Sequence, residues 1–432
     1  MPTRRLGLVT LALAAVVLFV PARVNGLVVV NAALLLVVVA DFLLAPAPGR
    51  IGVDRLFPDV VTLRATAGLA WRVTNPTSRR QRIGIADQLA PSLRARARRA
   101  EVEVPGDGSV TARTLIRPVR RGRFDLGELA VRTYGPLGLV GRQRTRRVRA
   151  RLRIYPQFKS RAEAELRITK ARILEVGMRS AQGRGGGTEF EQLREWTPDD
   201  EFRRVDWAAT ARTNKPIVRT YRAERNQTVI VLLDNGRVMA GQVAGVPRVE
   251  HAMDAAMAIT TVATRLGDRC GLVAFDTEVR AVVPPAKHRN QLGRVTEAVY
   301  DLEPELAESD YLGAFTETLA RFRRRALLVV LTELVEAAAR EYLLPALPLI
   351  ARSHVVLLGS VRDPEVVGWA SEVPEDPSGV YRKAAAVGAL DERARTIARL
   401  RGLGAVVIDA PPGRLAGRLA DAYLEIKARG QL

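Results

Sequence analysis

The chain has 432 residues, enough for two domains and a sizeable core. Its single cysteine, Cys270, excludes an internal disulfide, a Cys-rich zinc site and a Cys-x-x-Cys redox pair, and three dispersed histidines (His251, His288, His354) argue against a His-based metal centre. The formal charge of +21 is almost all arginine, and residues 45–156 alone hold 24 Arg against 8 acidic residues.

Leu6–Val20 and Leu27–Ala40 are apolar runs separated by Pro-Ala-Arg-Val-Asn-Gly. Each run alone is shorter than the ~20 residues a membrane span needs, and flanking residues through Val24 and Leu44 extend them to two tilted spans. Each gains about 3–6 kcal/mol on insertion. Asp41 then lies near an interface, where it costs little. A secretory signal, with Arg4 and Arg5 as its basic end, is the competing reading, but it leaves the second run unexplained. A tight hairpin puts both ends on one side, and the arginines favour the cytoplasm for that side.

From about residue 58 to 155 the sequence predicts short strands. Val60–Asn75 alternates imperfectly and ends in the turn Asn-Pro-Thr-Ser; Ala100–Val119 holds two strands around Pro-Gly-Asp-Gly; Gly127–Val140 and Val148–Pro156 follow the same pattern. This spacing suggests a small β-sandwich with no catalytic constellation. Its arginines lack the interleaved aromatics of nucleic-acid binders, so no nucleic acid is expected. They suit either a plain solvated surface or anionic lipid headgroups, where each basic residue contributes about 1 kcal/mol.

Gly183–Gly187 reads as a mobile loop rather than a phosphate loop, because no Gly-Lys-Ser/Thr follows. After strand-like residues 188–196, Thr197 with Pro198 and Asp200 predicts a helix start, and the helix is placed at 198–213. Within it, Asp199–Arg203 and Asp200–Arg204 are i,i+4 pairs, and Phe202, Val205 and Ala209 form an inward face. Thr228–Leu233 is continuously apolar and β-branched, as in a parallel strand buried on both faces. Beyond it, helices near 247–266, 288–303, 311–323, 335–351, 382–402 and 413–428 alternate with strands Cys270–Phe275, Val279–Val283, Ala326–Glu333, His354–Gly359 and Ala405–Asp409. That rhythm predicts an open, doubly wound α/β sheet with its ligand position at the C-terminal strand ends.

The block from Gly185 to Met239 resembles the signature of the bacterial domain of unknown function 58 family. Arg120–Val140, Ser309–Leu334 and the ending Ala422–Gly430 also resemble it, so the likeness runs through the whole chain. The resemblance implies an N-terminal membrane hairpin, a carboxyl-terminal half similar to von Willebrand factor A domains, and a cytoplasmic partner, an AAA+ ATPase of the MoxR type. It implies no catalytic activity. The fold expected is thus α/β: a two-helix transmembrane hairpin (1–48), a small basic β-sandwich (49–156), a connector carrying the helix at 198–213 (157–226), and a von Willebrand factor A-like open sheet (227–432).

Von Willebrand A domains often hold a divalent cation through Asp-x-Ser-x-Ser. Here Asp234 keeps the Asp, while Gly236 and Val238 supply no hydroxyl. Glu333, with Thr332 or Ser309, is the candidate for completing a degenerate site, and Arg237 is the cheaper neutraliser of Asp234. No cofactor is otherwise expected, with Mg²⁺ as the exception. An enzyme needs a base beside a nucleophile or metal, and the signature stretch offers neither His nor Cys, so the expectation is no enzyme and no small-molecule substrate. Trp196, Asp199, Asp200, Arg203, Arg204, Asp206, Trp207 and Arg212 form either a docking face or a salt-bridged covering helix. The expected role is a non-enzymatic adaptor, multi-pass in the cell inner membrane with its soluble parts in the cytoplasm, touching membrane lipids. A divalent-cation-dependent adhesion or sensing domain is the alternative.

Overall fold

The computed structural model describes residues 1–17, 23–181, 189–198, 200, 202, 205–222, 226–335 and 338–431. The chain is mixed α/β and divides into two compact units, Met1–Tyr155 and Pro156–Leu432. The Gly183–Gly187 loop lies outside the described residues.

The first unit opens with helices α1 (Arg4–Val17) and α2 (Arg23–Leu44). Among the described residues one stretch, Leu27–Arg50, is long and apolar enough to cross a membrane. Eight strands follow: β1 (Gly52–Leu56), β2 (Val60–Thr62), β3 (Ala67–Asn75), β4 (Gln81–Asp87), β5 (Arg99–Val104), β6 (Gly108–Ile116), β7 (Gly122–Tyr134) and β8 (Gly141–Tyr155). They form an antiparallel three-stranded sheet β1-β3-β6 and a five-stranded sheet β2-β8-β7-β4-β5, in which only β2–β8 is parallel. The inward residues of both sheets share one core, including Val53, Leu69, Trp71, Ile83, Leu129 and Leu152. The two strands around Pro-Gly-Asp-Gly do not pair with each other. β5 pairs with β4 and β6 with β3, so this turn carries the chain from one sheet to the other.

A buried polar staple joins the sheets. Asp87, at the end of β4, accepts from Arg55 Nε (2.9 Å) and Nη2 (2.6 Å) of β1 and from Trp71 Nε1 (2.7 Å) of β3. Arg55 also donates to the Glu128 and Val148 carbonyls, beside the β7 bulge at Leu126–Glu128. Asp41, expected near a membrane interface, is enclosed by protein. It is 1% exposed, and its carboxylate accepts the backbone N–H groups of Leu137 (2.8 Å), Leu139 (2.8 Å) and Val140 (3.0 Å) in the β7–β8 loop.

The second unit begins with α3 (Arg161–Ala181), a helix that sequence periodicity did not reveal. Next comes an antiparallel ribbon of β9 (Glu189–Glu195) and β10 (Ile217–Arg222), with α4 (Trp207–Thr213) between its strands. Then follow β11 (Thr228–Asp234), α5 (Arg237–Ala240), the short ribbon β12 (Gln242–Val243) and β13 (Val246–Pro247), α6 (Arg248–Arg265), β14 (Arg269–Phe275), β15 (Val279–Ala286), α7 (Gln291–Val299) and α8 (Tyr311–Arg321). The chain ends with β16 (Leu327–Leu331), a π-helical turn Ala339–Leu343 leading into α9 (Leu344–Ala351), β17 (Val355–Val361), α10 (Pro364–Ser371), α11 (Pro377–Gly402), β18 (Val406–Ala410) and α12 (Leu415–Ala428). The main sheet has the order β15-β14-β11-β16-β17-β18, parallel except for the β15 edge. Its central strands are buried on both faces. Val229, Val231 and Leu233 join a core with α3, α6 and α12, while Ile230 and Leu232 join one with α8, α9 and α11.

The helix expected at 198–213 starts later than its capping signature implied. Val205 bridges Val218 of β10, and Asp206 N–H donates to the Ile217 carbonyl (2.8 Å), so these two residues run extended beside β10. Asp206 is the actual N-cap, accepting from Ala209 N–H at 3.1 Å. The Thr197 signature closes a turn instead: Asp200 N–H donates to the Thr197 carbonyl (2.8 Å), and Asp200 Oδ2 accepts the Thr197 N–H and hydroxyl, both at 2.9 Å. Hydrogen bonding of this kind satisfies a turn as well as a helix start, and only the tertiary pairing with β10 decides between them.

Candidate functional site at the strand ends

The parallel strands deliver a row of polar residues to their C-terminal edge: Asp234 at the end of β11, Asp276 after β14, Thr332 and Glu333 after β16, Ser360 in β17 and Asp409 in β18. All but Asp409 are buried.

Asp234 is fully buried, and both its oxygens are saturated. Oδ1 accepts Gly236 N–H (2.9 Å) and the Ser309 hydroxyl (2.5 Å); Oδ2 accepts the Tyr311 (2.7 Å) and Thr332 (2.5 Å) hydroxyls. Tyr311 Oη and Thr332 Oγ1 also lie 2.8 Å apart. Burial pushes the Asp234 carboxyl up from its ordinary value, while Ser309, Thr332, the Gly236 amide and Tyr311 pull it back. Burial, with the neighbouring carboxylate, drives the Tyr311 phenol well up, so it stays protonated and donating.

Glu333 is held separately. It faces Arg248 (3.2 Å) and Arg393 of α11 and accepts the Ser360 hydroxyl (3.2 Å). Arg393 also donates to Ser360 Oγ and Asp409, each at 2.8 Å. The crevice between Arg248, Thr332, Glu333 and Ser360 is too tight to admit water. Asp276 is neutralised by Arg280 Nε (2.7 Å), and Asn235 donates to the Glu303 carbonyl (2.7 Å). The Asn235 bond, with Arg237 N–H on the Ala307 carbonyl (2.9 Å) and Asp310 N–H on the Asp276 carbonyl (2.8 Å), fastens the 303–310 loop to the strand ends. Two leucines stand out on that loop and the helix after it, Leu306 at 75% and Leu312 at 59% exposed, among the exposed carboxylates of Glu303, Glu305 and Asp310.

This chemistry does not fit the divalent cation that a resemblance to von Willebrand A domains implies. Each Asp234 oxygen already accepts two protein donors, leaving no lone pair for a metal. A Cβ at Gly236, where the cation motif has Ser, would lie 2.0 Å from Ser309 Oγ. Among the described residues no group of three or more His, Cys, Asp or Glu is placed to hold a metal. Thr332 and Ser309 do join Asp234, but as donors to it, and Glu333 is spent on arginines. Arg237 does not neutralise Asp234; it pairs with Glu308.

A family model described as "Protein of unknown function DUF58" matches residues 192–374. Uncharacterized proteins of Mycobacterium bovis and of Mycobacterium tuberculosis are 30% identical over 225 residues, covering 50% of this chain and 70% of theirs. This chain belongs to the DUF58 family. Solved structures give slighter likenesses. The CARDB domain of the PF1109 protein from Pyrococcus furiosus, in complex with di-metal ions, has a TM-score of 0.17 at 11% identity, covering 24% of this chain and 86% of that one. WR4, a C. elegans MSP family member, has 0.14 at 14% identity, covering 19% and 71%. Neither score is high enough to assign a fold.

The matched region of this DUF58 chain includes the signature stretch, whose candidate face divides in two. Asp200 pairs with Arg194 Nη1 (2.7 Å) and Nη2 (2.6 Å), and Asp206 caps α4 and holds Arg219 Nε at 2.7 Å, so both are buried in structural roles. Trp196 is half-buried, with an indole N–H that has no hydrogen-bond partner among the described residues. Trp207 is 60% exposed, Arg212 is exposed, and Phe202, expected to face inward, is 68% exposed and packs edge-to-face on Trp207 with ring centroids 5.4 Å apart. Asp199, Arg203 and Arg204 lie outside the described residues. Sequence reasoning missed Tyr311, Arg248, Arg393 and Asp409. Tyr311 carried a signal, since it starts the helix after Ser309; Arg393 lies mid-helix and carried none.

Proposed function

We propose that this protein is a membrane-anchored, non-enzymatic interaction module. Its carboxyl-terminal unit is read as a von Willebrand factor A-like sheet presenting its strand-end face to a protein partner, and the energy-dependent step belongs to that partner, an AAA+ ATPase of the MoxR type. The observation that carries this reading is the state of the strand ends. Asp234, Glu333 and Asp276 are each satisfied by protein groups, which is poor provision for catalysis, while Leu306 and Leu312 stand exposed on the loop and helix start that carry Ser309 and Tyr311 to Asp234. The exposed Phe202–Trp207 pair with Arg212 adds a second surface of the composition found at interfaces.

The anchor is read as a two-helix hairpin with both ends on the cytoplasmic side of the inner membrane. Support comes from the β7–β8 loop, which receives the chain's start and the end of α2 together. Thr3 Oγ1 donates to the Gly138 carbonyl at 2.7 Å, and Asp41 takes three amides of the same loop. Arg4, Arg5 and the arginine excess after α2 suit the cytoplasmic face.

The test is gentle detergent extraction of the full chain with its bound proteins. The double variant Leu306→Asp/Leu312→Asp is expected to lose the ATPase while Cys270 stays protected from thiol reagents, a sign that the unit is folded. Retention of the partner, or saturable turnover of a small molecule by the purified chain, sinks the reading.

A further inference from the structure

α2 spans 22 residues, roughly 33 Å at 1.5 Å per residue, close to the ~30 Å of a bilayer's hydrocarbon core. Leu27–Ala40 alone gives only about 21 Å. If α2 crosses a membrane, as the reading above holds, its last turn at Asp41–Leu44 must lie within the bilayer boundary. Phe42, Leu43 and Leu44 are all exposed and apolar, so the lipid-facing surface continues one turn past Asp41.

Asp41 at that depth is satisfied by protein instead of water. Its three donors are the amides of Leu137, Leu139 and Val140. Gly135 lies so close that a Cβ there would meet Asp41 Oδ1 at 2.3 Å and the Asp41 carbonyl at 2.4 Å. The β7–β8 loop is therefore fixed to the helix at the level of Asp41. It cannot stand off in the cytoplasm on a flexible linker. Its tip is apolar and open: Leu137 is 55% exposed, and Pro136 is exposed beside it. Arginines surround it. Arg142 stacks over Phe42 at 5.1 Å and donates to the Ala45 carbonyl (3.3 Å), Arg144 lies against Gly49, Arg5 lies against Gly138, and Arg4 is exposed at the start of α1.

We propose that the β7–β8 loop, Tyr134–Gly141, is a wedge seated in an anionic lipid surface, with Pro136 and Leu137 at the headgroup–acyl boundary and Arg4, Arg5, Arg142 and Arg144 on lipid phosphates. The wedge rests on the anchor reading and goes beyond it. An anchored β domain can hang in the cytoplasm, whereas Asp41 pins this one into the interface. Leu137 supplies the apolar contact, and the guanidiniums supply the preference for negative lipid.

Cys270 is buried, so Leu137→Cys introduces the one reactive thiol of the folded full chain. The variant is labelled with an environment-sensitive fluorophore and reconstituted into vesicles of phosphatidylcholine, with or without phosphatidylglycerol, carrying a shallow nitroxide lipid. Asp59→Cys is the control, beside Val60, which pairs with Arg153 near the far end of β8, roughly 40 Å along the strand from the loop at ~3.3 Å per residue. The expected result is co-flotation with the vesicles, quenching at 137 several-fold stronger than at 59, and stronger again in anionic vesicles. The triple variant Arg4→Gln/Arg5→Gln/Arg144→Gln should abolish the lipid dependence. Co-flotation with equal quenching at 137 and 59 overturns the wedge and leaves the anchor standing. Failure to co-float overturns the anchor and the wedge with it, and equal quenching at 137 in both lipids overturns the assignment to anionic lipid. Pro136→Cys repeats the measurement should labelling at 137 disturb the loop.

Discussion

Gly236 is the position where the strand-end geometry makes its sharpest demand. An added Cβ would lie 2.0 Å from Ser309 Oγ and 3.1 Å from the Ala307 carbonyl oxygen. Ser309 cannot swing away freely, because its hydroxyl donates to buried Asp234 at 2.5 Å. Gly236→Ala therefore either breaks that charge-assisted bond or strains the 303–310 loop, at a cost of about 3 kcal/mol from the lost bond and the overpacking. That cost raises the unfolded population of the second unit roughly 100-fold. The chain carries its own reporter. Cys270 is the sole cysteine, fully buried in β14, and burial pushes its thiol up to about 12, so labelling by a thiol reagent requires opening of the sheet. Its labelling rate should rise by roughly the same 100-fold factor. In Gly236→Ala/Ser309→Ala the colliding oxygen is gone, so the pair should cost less than the sum of its singles. Labelling of Gly236→Ala at the wild-type rate would refute the reasoning. So would a Gly236→Ser chain whose labelling slowed in Mg²⁺, because a cation site would then be within one side chain of recovery.

Two further outcomes follow from the buried and partnered charges. Asp87→Ala leaves the Arg55 guanidinium and the Trp71 indole N–H buried without their carboxylate, which should destabilise the first unit by about 3–5 kcal/mol, read as faster amide exchange through β7; unchanged exchange would refute the staple. Asp200 is held down to about 2, chiefly by Arg194 and then by Thr197. The folded state binds fewer protons there, so this contribution is complete above the ordinary carboxylate value of 3.8 and is lost as pH falls through about 2. Pepsin should open the Arg194–Asp200 turn only near the acid end of that window, and Arg194→Gln should move the onset upward; an unmoved onset would refute the pairing.

The main sheet was legible because parallel strands buried on both faces write themselves as unbroken apolar runs, and Thr228–Leu233 is one. α3 was not, because among its described side chains only Ala164 and Ile168 are buried in the core, too sparse an apolar stripe to stand out among charges. The start of α4 was misplaced because Thr197 and Asp200 make the same local bonds in a turn as at a helix cap. The pairing of Val205 with Val218, which settles the matter, joins residues on either side of α4. At the site, Asp234, Ser309 and Thr332 were visible as polar residues next to strand or helix ends. That Tyr311 completes the set, and that Glu333 turns to Arg393 sixty residues on, depends on how α8 and α11 pack and leaves no local trace.

Under the adaptor reading, the Asp234 cluster gives the strand ends a rigid base for a binding surface. Its four donors come from three segments: the turn after β11, the Ser309–Tyr311 entry to α8, and the end of β16. One buried carboxylate thus fixes the relative position of three chain segments, and each donor lost leaves charge unpaired in a dry interior, so partial opening is costly. Leu306 and Leu312 flank Ser309 in sequence and ride on that platform. A partner that buries them does not first have to order the loop that carries them, and the entropy cost of association falls accordingly. A carboxylate whose oxygens are all taken by protein donors is committed wholly to holding these segments still. Under the adaptor reading, this rigidity is the property that Asp234 supplies to function.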